Sequence, residues 1–137
     1  MKCYLAARFD RKEEMKALSI LIVKLGIKVT SRWLDEASMP EGKRAQNRFL
    51  TDTAQMDAED VRAADTLIRF SDDLTPLTVP SRWCTASRME ETGMAHAWGK
   101  HIIIVGGQQS LFDRFSSRVQ LKDTDALLEY LKKKQGE

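Results

Sequence analysis

The sequence predicts an α/β domain: a five-stranded parallel sheet with helices on both faces. Two observations carry that expectation. Apolar strand candidates alternate with amphipathic segments along the whole chain, the pattern of strands joined by helical crossovers. The strands are also apolar without interruption, HIIIVGG (101–107) most clearly, as befits strands covered on both sides.

KCYLAAR (2–8) opens the chain as a first strand. DRKEEMKALSILIVKLG (10–26) spaces Met15, Leu18, Ile22 and Leu25 along one face of a helix. Asp10 is a natural N-cap, Glu13 follows three residues later, and Gly26 supplies the stop. IKVTSRW (27–33) alternates and is β-branched, which predicts a second strand. The polar stretch 34–49 holds Pro40 and Gly42 and reads as a loop passing into a helix near Lys43. The helical signal continues to about Ala64. TLIRFS (66–71) is a third strand. Residues 72–87 carry two prolines and no sustained period, hence a long loop, and such loops are more often functional than idle. RMEETGMAHAWG (88–99) reads as a helix ending at Gly99, and 101–107 as the fourth strand. QQSLFDRFSS is a loop, RVQLK (118–122) a fifth strand and DTDALLEYLKKK (123–134) a capped terminal helix. The expected strand order is 2-1-3-4-5, a flavodoxin-like, Rossmann-like three-layer sandwich forming one domain over 1–137. Ligands of such sheets sit at the carboxyl ends of the strands, beside the switch point between first and third. The stretch from Tyr4 to Arg8 leads there.

With 137 residues, 42% hydrophobic and 31% charged, the composition is that of one globular domain. The net charge of +2 comes from interspersed signs, so no basic stripe marks a nucleic-acid polymer as partner. A small anion needs only one or two placed arginines. No apolar run is long enough to span a membrane. With no secretory leader, Cys3 and Cys84 read as reduced thiols, and a cytoplasmic protein is expected. Cys3, Cys84, His96 and His101 are not spaced as a metal site, so neither metal nor other cofactor is expected.

Three acidic clusters fall on the same edge of the expected sheet. Asp72 and Asp73 follow the third strand, Asp57, Glu59 and Asp60 lie in the helix before it, and Glu90 and Glu91 open the helix after the long loop. Acids near helix N-termini also complement the dipole and cap, which accounts for each cluster without chemistry. Glu91 stands out. Neighbours on a helix point about 100° apart, so only one of Glu90 and Glu91 faces the crevice. Gly93, two residues on, costs about 1 kcal/mol against alanine. A helix carries that where a backbone or ligand must come close.

CYLAARFDRKEE, SRWLD, DAEDVRAADTLIRF, SRMEETGMAHAWGKHIIIVGG and the SLF that follows resemble, in order and spacing, the nucleoside 2-deoxyribosyltransferase family. That family includes nucleoside 5′-monophosphate N-glycosidases, and the resemblance spans nearly the whole chain. It implies cleavage of the N-glycosidic bond of a (deoxy)nucleoside or its 5′-monophosphate, by hydrolysis or transfer, through a glycosyl-enzyme intermediate. It implies Glu91 as the nucleophile, a carboxylate that stabilises an oxocarbenium-like transition state and then departs. It implies Asp60 as the aspartate that helps protonate the leaving base, and Tyr4 as the hydroxyl that orients Glu91. Members borrow loops from neighbouring subunits, which implies a homodimer or larger homo-oligomer, with a small-molecule nucleoside or nucleotide as ligand.

The chain also departs from the family. Six residues before Glu91, where transferases tend to carry aspartate and the monophosphate hydrolases serine, stands Thr85. A hydroxyl there suits a phosphorylated substrate, which a carboxylate would repel. Arg8, Arg11 and Arg88 are candidate cations for the phosphate. Ala86 and Ser87 replace glycines common before the glutamate, Thr92 follows it, and the ending KKKQGE lacks the transferases' aromatic tail. Substrate contacts are thus expected from Arg8, Thr85, Ser87, Arg88, Gly93 and Trp83, the last in the long loop over the site. Trp33 and Trp98 read as packing or interface residues and His96 as a packing histidine. The missing glycines and Thr92 equally fit a catalytically inactive module that binds or sequesters nucleotides on the same fold. A flavin or phosphate binder fits less well, because RFDRKEE offers no glycine- or hydroxyl-rich loop.

Overall fold

The five apolar runs pair in parallel, in the order β2-β1-β3-β4-β5. The computed structural model describes residues 1–72 and 82–137, with the backbone alone for 82–85. The elements in chain order are β1 (Lys2–Ala6), α1 (Lys12–Lys24), β2 (Lys28–Val29), α2 (Lys43–Ala63) and β3 (Thr66–Phe70). They continue with α3 (Arg82–Ala97), β4 (His101–Val105), β5 (Val119–Leu121) and α4 (Thr124–Gly136).

Register decides which side chains share a face. Tyr4, Leu67 and Ile102 form one row across β1, β3 and β4, and Ala6, Arg69 and Ile104 the next row on that side. Right-handed crossovers put α2 and α3 over this face. The opposite face carries Cys3, Leu5, Ile68, Phe70, Ile103 and Val105, which share the core with Met15, Leu18 and Ile22 of α1 and Leu127 and Leu131 of α4. Each such buried aliphatic side chain is worth about 1.5–3 kcal/mol.

Several elements differ from the sequence expectation, each for a local reason. The second strand stops at Val29, and Arg32–Asp35 form a 3₁₀ turn instead. Side chains replace the missing ladder: the Leu5 N–H donates to Ser31 Oγ at 2.7 Å, and Trp33 Nε1 donates to the Leu5 carbonyl at 2.9 Å. Asp10 does not cap α1, which starts at Lys12 after a 3₁₀ turn over Phe9–Arg11. Its carboxylate pairs with Arg8 at 2.5 Å, a charge-assisted bond that outcompetes a neutral backbone N–H. At the other end Gly26 ends α1 at φ +86°, as expected. The capped terminal helix is also as expected, Asp123 accepting from the Ala126 N–H at 2.9 Å.

The largest difference is the start of α3, at Arg82 and not Arg88. RWCTAS contains neither glycine nor proline, so nothing after Pro80 breaks a helix even though the apolar period is lost. Glu90 and Glu91 therefore lie inside α3, beyond its first turn, and the dipole does not account for them. Trp83 and Thr85 belong to the opening turns of this helix and not to a loop. Their side chains, that of Cys84, and Asp73 lie outside the described residues.

Gly106 has φ +106°, and a Cβ there would stand 2.9 Å from Ser71 Cβ. Only glycine lets the chain leave β4 so close to the end of β3. That path carries Gln109 over Asp72, whose N–H donates to Gln109 Oε1 at 3.2 Å. Among the described residues no helix is long and apolar enough to cross a membrane.

Candidate active site

Tyr4 projects from β1 towards α3 and is 1% exposed. Its hydroxyl donates a hydrogen bond to Glu91 Oε2. Burial pushes the Glu91 carboxyl up to about 8; the charge of Asp57 adds to this, while the Tyr4 hydrogen bond acts in the opposite direction. Tyr4 itself is held well above its ordinary value, first by burial and then by Glu91, Asp57 and Asp60. A proton on the phenol at neutral pH keeps it a donor.

Asp57 completes the group from α2. Its carboxyl is pushed up to about 7, mainly by burial, then by Glu36 and Asp60, with Arg32 opposing. Its Oδ1 is buried and has no hydrogen-bond partner. Glu91 and Asp57 are close enough to repel when both are ionised, so the pair favours one negative charge and one retained proton. Glu91 holds the proton more tightly than Asp57, so the form with Glu91 ionised and Asp57 protonated is the minor one, and it is the form in which one carboxylate can attack while a second carboxyl donates.

Asp60 lies one turn further along α2 and is 5% exposed. Its two oxygens accept from Arg32, Oδ2 from the backbone N–H at 2.9 Å and Oδ1 from Nε at 2.8 Å. Its carbonyl accepts from Thr30 Oγ1 at 2.9 Å. Asp60 thereby ties the 3₁₀ turn to α2, while Asp57 keeps an unengaged oxygen. Asp57 and Asp60 share one helix face at i, i+3, and Arg32 reaches the carboxylate of Asp60 with two hydrogen bonds.

Arginines gather where the sheet edge meets the start of the β1–α1 connection. Arg8 is 9% exposed, and its Nε is buried without a hydrogen-bond partner, 3.8 Å from Asp72 Oδ1. Arg11 donates to the Ser71 carbonyl at 3.2 Å and pairs with Glu14 at 2.8 Å. Arg88 is not an open cation. Its side chain is 0% exposed, and its two terminal nitrogens fork onto Asp72 at 2.8 and 2.5 Å. The Arg88 hydrogen bonds hold the Asp72 carboxyl below its usual range, with Arg8 and Arg11 adding to the effect. Ser87 is exposed beside it.

The far flank of α3 is different. A cavity of about 700 Å³ there is lined by Glu90, Gly93, His96, Gln109, Phe112 and Phe115, among others. Glu90 and Gly93 therefore face away from Tyr4, as their helical spacing from Glu91 requires. A Cβ at Gly93 would meet no atom within 4 Å, so of the two approaches expected there, by a backbone or by a ligand, no backbone makes the first. His96 stacks on Phe115 with ring centroids 5.1 Å apart, the packing role expected of it. Among the described residues no group of three His, Cys, Asp or Glu side chains is arranged to hold a metal ion.

No protein-family model and no curated protein matches the chain. Solved structures do. One is the CMP N-glycosidase BcmB of Clostridium botulinum, 18% identical at a TM-score of 0.60, the match covering 96% of this chain and 98% of that one. The two chains share one fold from end to end.

Proposed function

We propose that this chain cleaves the N-glycosidic bond of a (deoxy)nucleoside 5′-monophosphate, as a member of the nucleoside 2-deoxyribosyltransferase-like enzymes, with Glu91 as the nucleophile. The observation that carries the reading is the buried Tyr4–Glu91 hydrogen bond with the unengaged Asp57 carboxyl beside it. The fold shared with a CMP N-glycosidase supports it.

Ionised Glu91 attacks the anomeric carbon as the C–N bond breaks. The Asp57 proton goes to the departing base, whose nitrogen takes the bonding pair. We assign that proton to Asp57 and give Asp60 the task of fixing Arg32 and the neighbouring turn. In the second step water attacks the anomeric carbon, Asp57 takes its proton, and Glu91 leaves. A second base in place of water gives transfer. The Arg8 guanidinium, whose Nε makes no hydrogen bond, is the cation we assign to the 5′-phosphate. We also read the protein as a homo-oligomer, because Leu111, Phe112 and Phe115 expose 75%, 59% and 43% of their surface as one patch. Light scattering tests that.

The function is tested by incubating the protein with nucleosides and their 5′-monophosphates and following free base by chromatography. Release from a monophosphate, abolished by Glu91→Gln, supports the reading. Release that survives Glu91→Gln overturns the mechanism. Nucleotide binding without release from any substrate would mark an inactive nucleotide-binding module.

A further inference from the structure

Among the described residues Arg69 and Arg88 have the largest fully buried side chains; Arg88 belongs to α3, and Arg69 reaches that helix from β3. A buried ion pair is seldom the most stable way to fill such space, since desolvating both charges offsets most of their attraction. What the pair provides is geometry: a guanidinium fork on a carboxylate fixes distance and orientation at once. Arg88 sits on α3 one turn before Glu91, and its fork is closed by Asp72 at the end of β3. Gln109 ties this pair to the β4–β5 connection. Its Oε1 accepts from Arg88 Nη2 at 3.3 Å and from the Asp72 N–H at 3.2 Å, while its own N–H donates to Asp113 Oδ2 at 2.8 Å. Asp113 in turn pairs with Arg69, whose Nη1 reaches the sulfur of Met89 on α3 at 3.5 Å. One continuous polar network thus pins α3 to β3 and to the β4–β5 connection.

We propose that Arg88, held by Asp72 and Gln109, is a positioning residue that sets the roll of α3 so that Glu91 meets the Tyr4 hydroxyl. A carboxylate extends about 6 Å from its helix axis, so a roll of 20° displaces it by about 2 Å, enough to break a hydrogen bond. The kinetic consequence rests on Glu91 being the nucleophile; the structural one does not.

The test uses both. The chain has two tyrosines, Tyr4 and Tyr130, so ¹³Cζ-tyrosine labelling gives two resonances, assigned with Tyr130→Phe. In the wild type the Tyr4 line steps as Glu91, faced by Tyr4 and Asp57, ionises near pH 8. Arg88→Lys and Gln109→Ala are each expected to shrink that step by half or more. They are also expected to lower kcat for base release at least tenfold, with KM changed less than threefold. Gln109 is exposed, so its variant decides the matter if Arg88→Lys does not fold. A Tyr4 step of full amplitude in the folded variants, with only the melting temperature lowered, overturns the proposal. A diminished step in a protein that cleaves nothing upholds the positioning and refutes the function.

Discussion

Replacing the buried acid Glu91 with its neutral isostere should stabilise this protein, and increasingly so as the pH rises. Glu91 titrates at about 8 when folded against 4.5 ordinarily. It therefore binds its proton more tightly in the folded state. The resulting stability is fully present below pH 4.5 and is lost as the pH climbs to 8. At about 1.4 kcal/mol per pH unit, the fold has lost about 3 kcal/mol at pH 7, where the unfolded carboxyl is ionised and the folded one still mostly protonated, and about 5 kcal/mol above pH 8, where the folded carboxyl is ionised too. Glutamine keeps the shape and still accepts the Tyr4 hydrogen bond through its amide oxygen, but never ionises. Urea unfolding of Glu91→Gln should match wild type near pH 4.5, exceed it by about 3 kcal/mol at pH 7, and exceed it further at pH 8.5. At pH 7 the melting temperature should rise by about 10 °C. A variant less stable than wild type at pH 8.5, or a difference constant between pH 4.5 and 8.5, would refute the reasoning that burial strains this carboxylate.

The remaining predictions concern its neighbours. Tyr4→Phe removes the one hydrogen bond that pulls the Glu91 value down, so less of the protein holds Glu91 ionised beside a protonated Asp57; base release should fall about tenfold at pH 7, with the rising limb of the pH–rate profile, set by the lower value of the pair, unmoved. Asp57→Asn should cut base release by about 10²–10⁴, and substrates with easily expelled bases should recover most of that loss in a side-by-side assay. Asp60→Ala frees the Arg32 N–H and side chain and should cost about 1–3 kcal/mol in urea unfolding, with a smaller effect on catalysis than Asp57→Asn. Trp33→Phe loses the indole bond to the Leu5 carbonyl and should cost about 1 kcal/mol by the same measurement.

The fold was legible because its signals are local and repeated. HIIIV could be little other than a buried strand, Gly26 and Asp123 mark helix ends by their own backbone and side-chain chemistry, and the alternation leaves few topologies. What escaped were elements decided by long-range partners. Asp10 reads as a cap until Arg8 is seen to hold it, and IKVTSRW reads as a strand until Ser31 and Trp33 are seen to bond β1 with their side chains. The site divides in the same way. Tyr4 and Glu91 were named from a motif resemblance and do meet in space. The same resemblance names Asp60 as the acid, and it takes the long-range reach of Arg32 onto that carboxylate to turn attention to Asp57; Arg88 reads as a phosphate ligand because nothing local links it to Asp72 or Gln109.

A covalent bond between Glu91 and the sugar is detected most directly by intact-protein and peptide mass spectrometry after exposure to a 2′-fluoro nucleoside 5′-monophosphate, whose fluorine slows breakdown of a glycosyl-enzyme. The expected result is a mass increase equal to the phosphorylated glycosyl group, located on the peptide that carries Glu91 and absent from Glu91→Gln. An unmodified Glu91 in protein that is releasing base from that compound would contradict the mechanism.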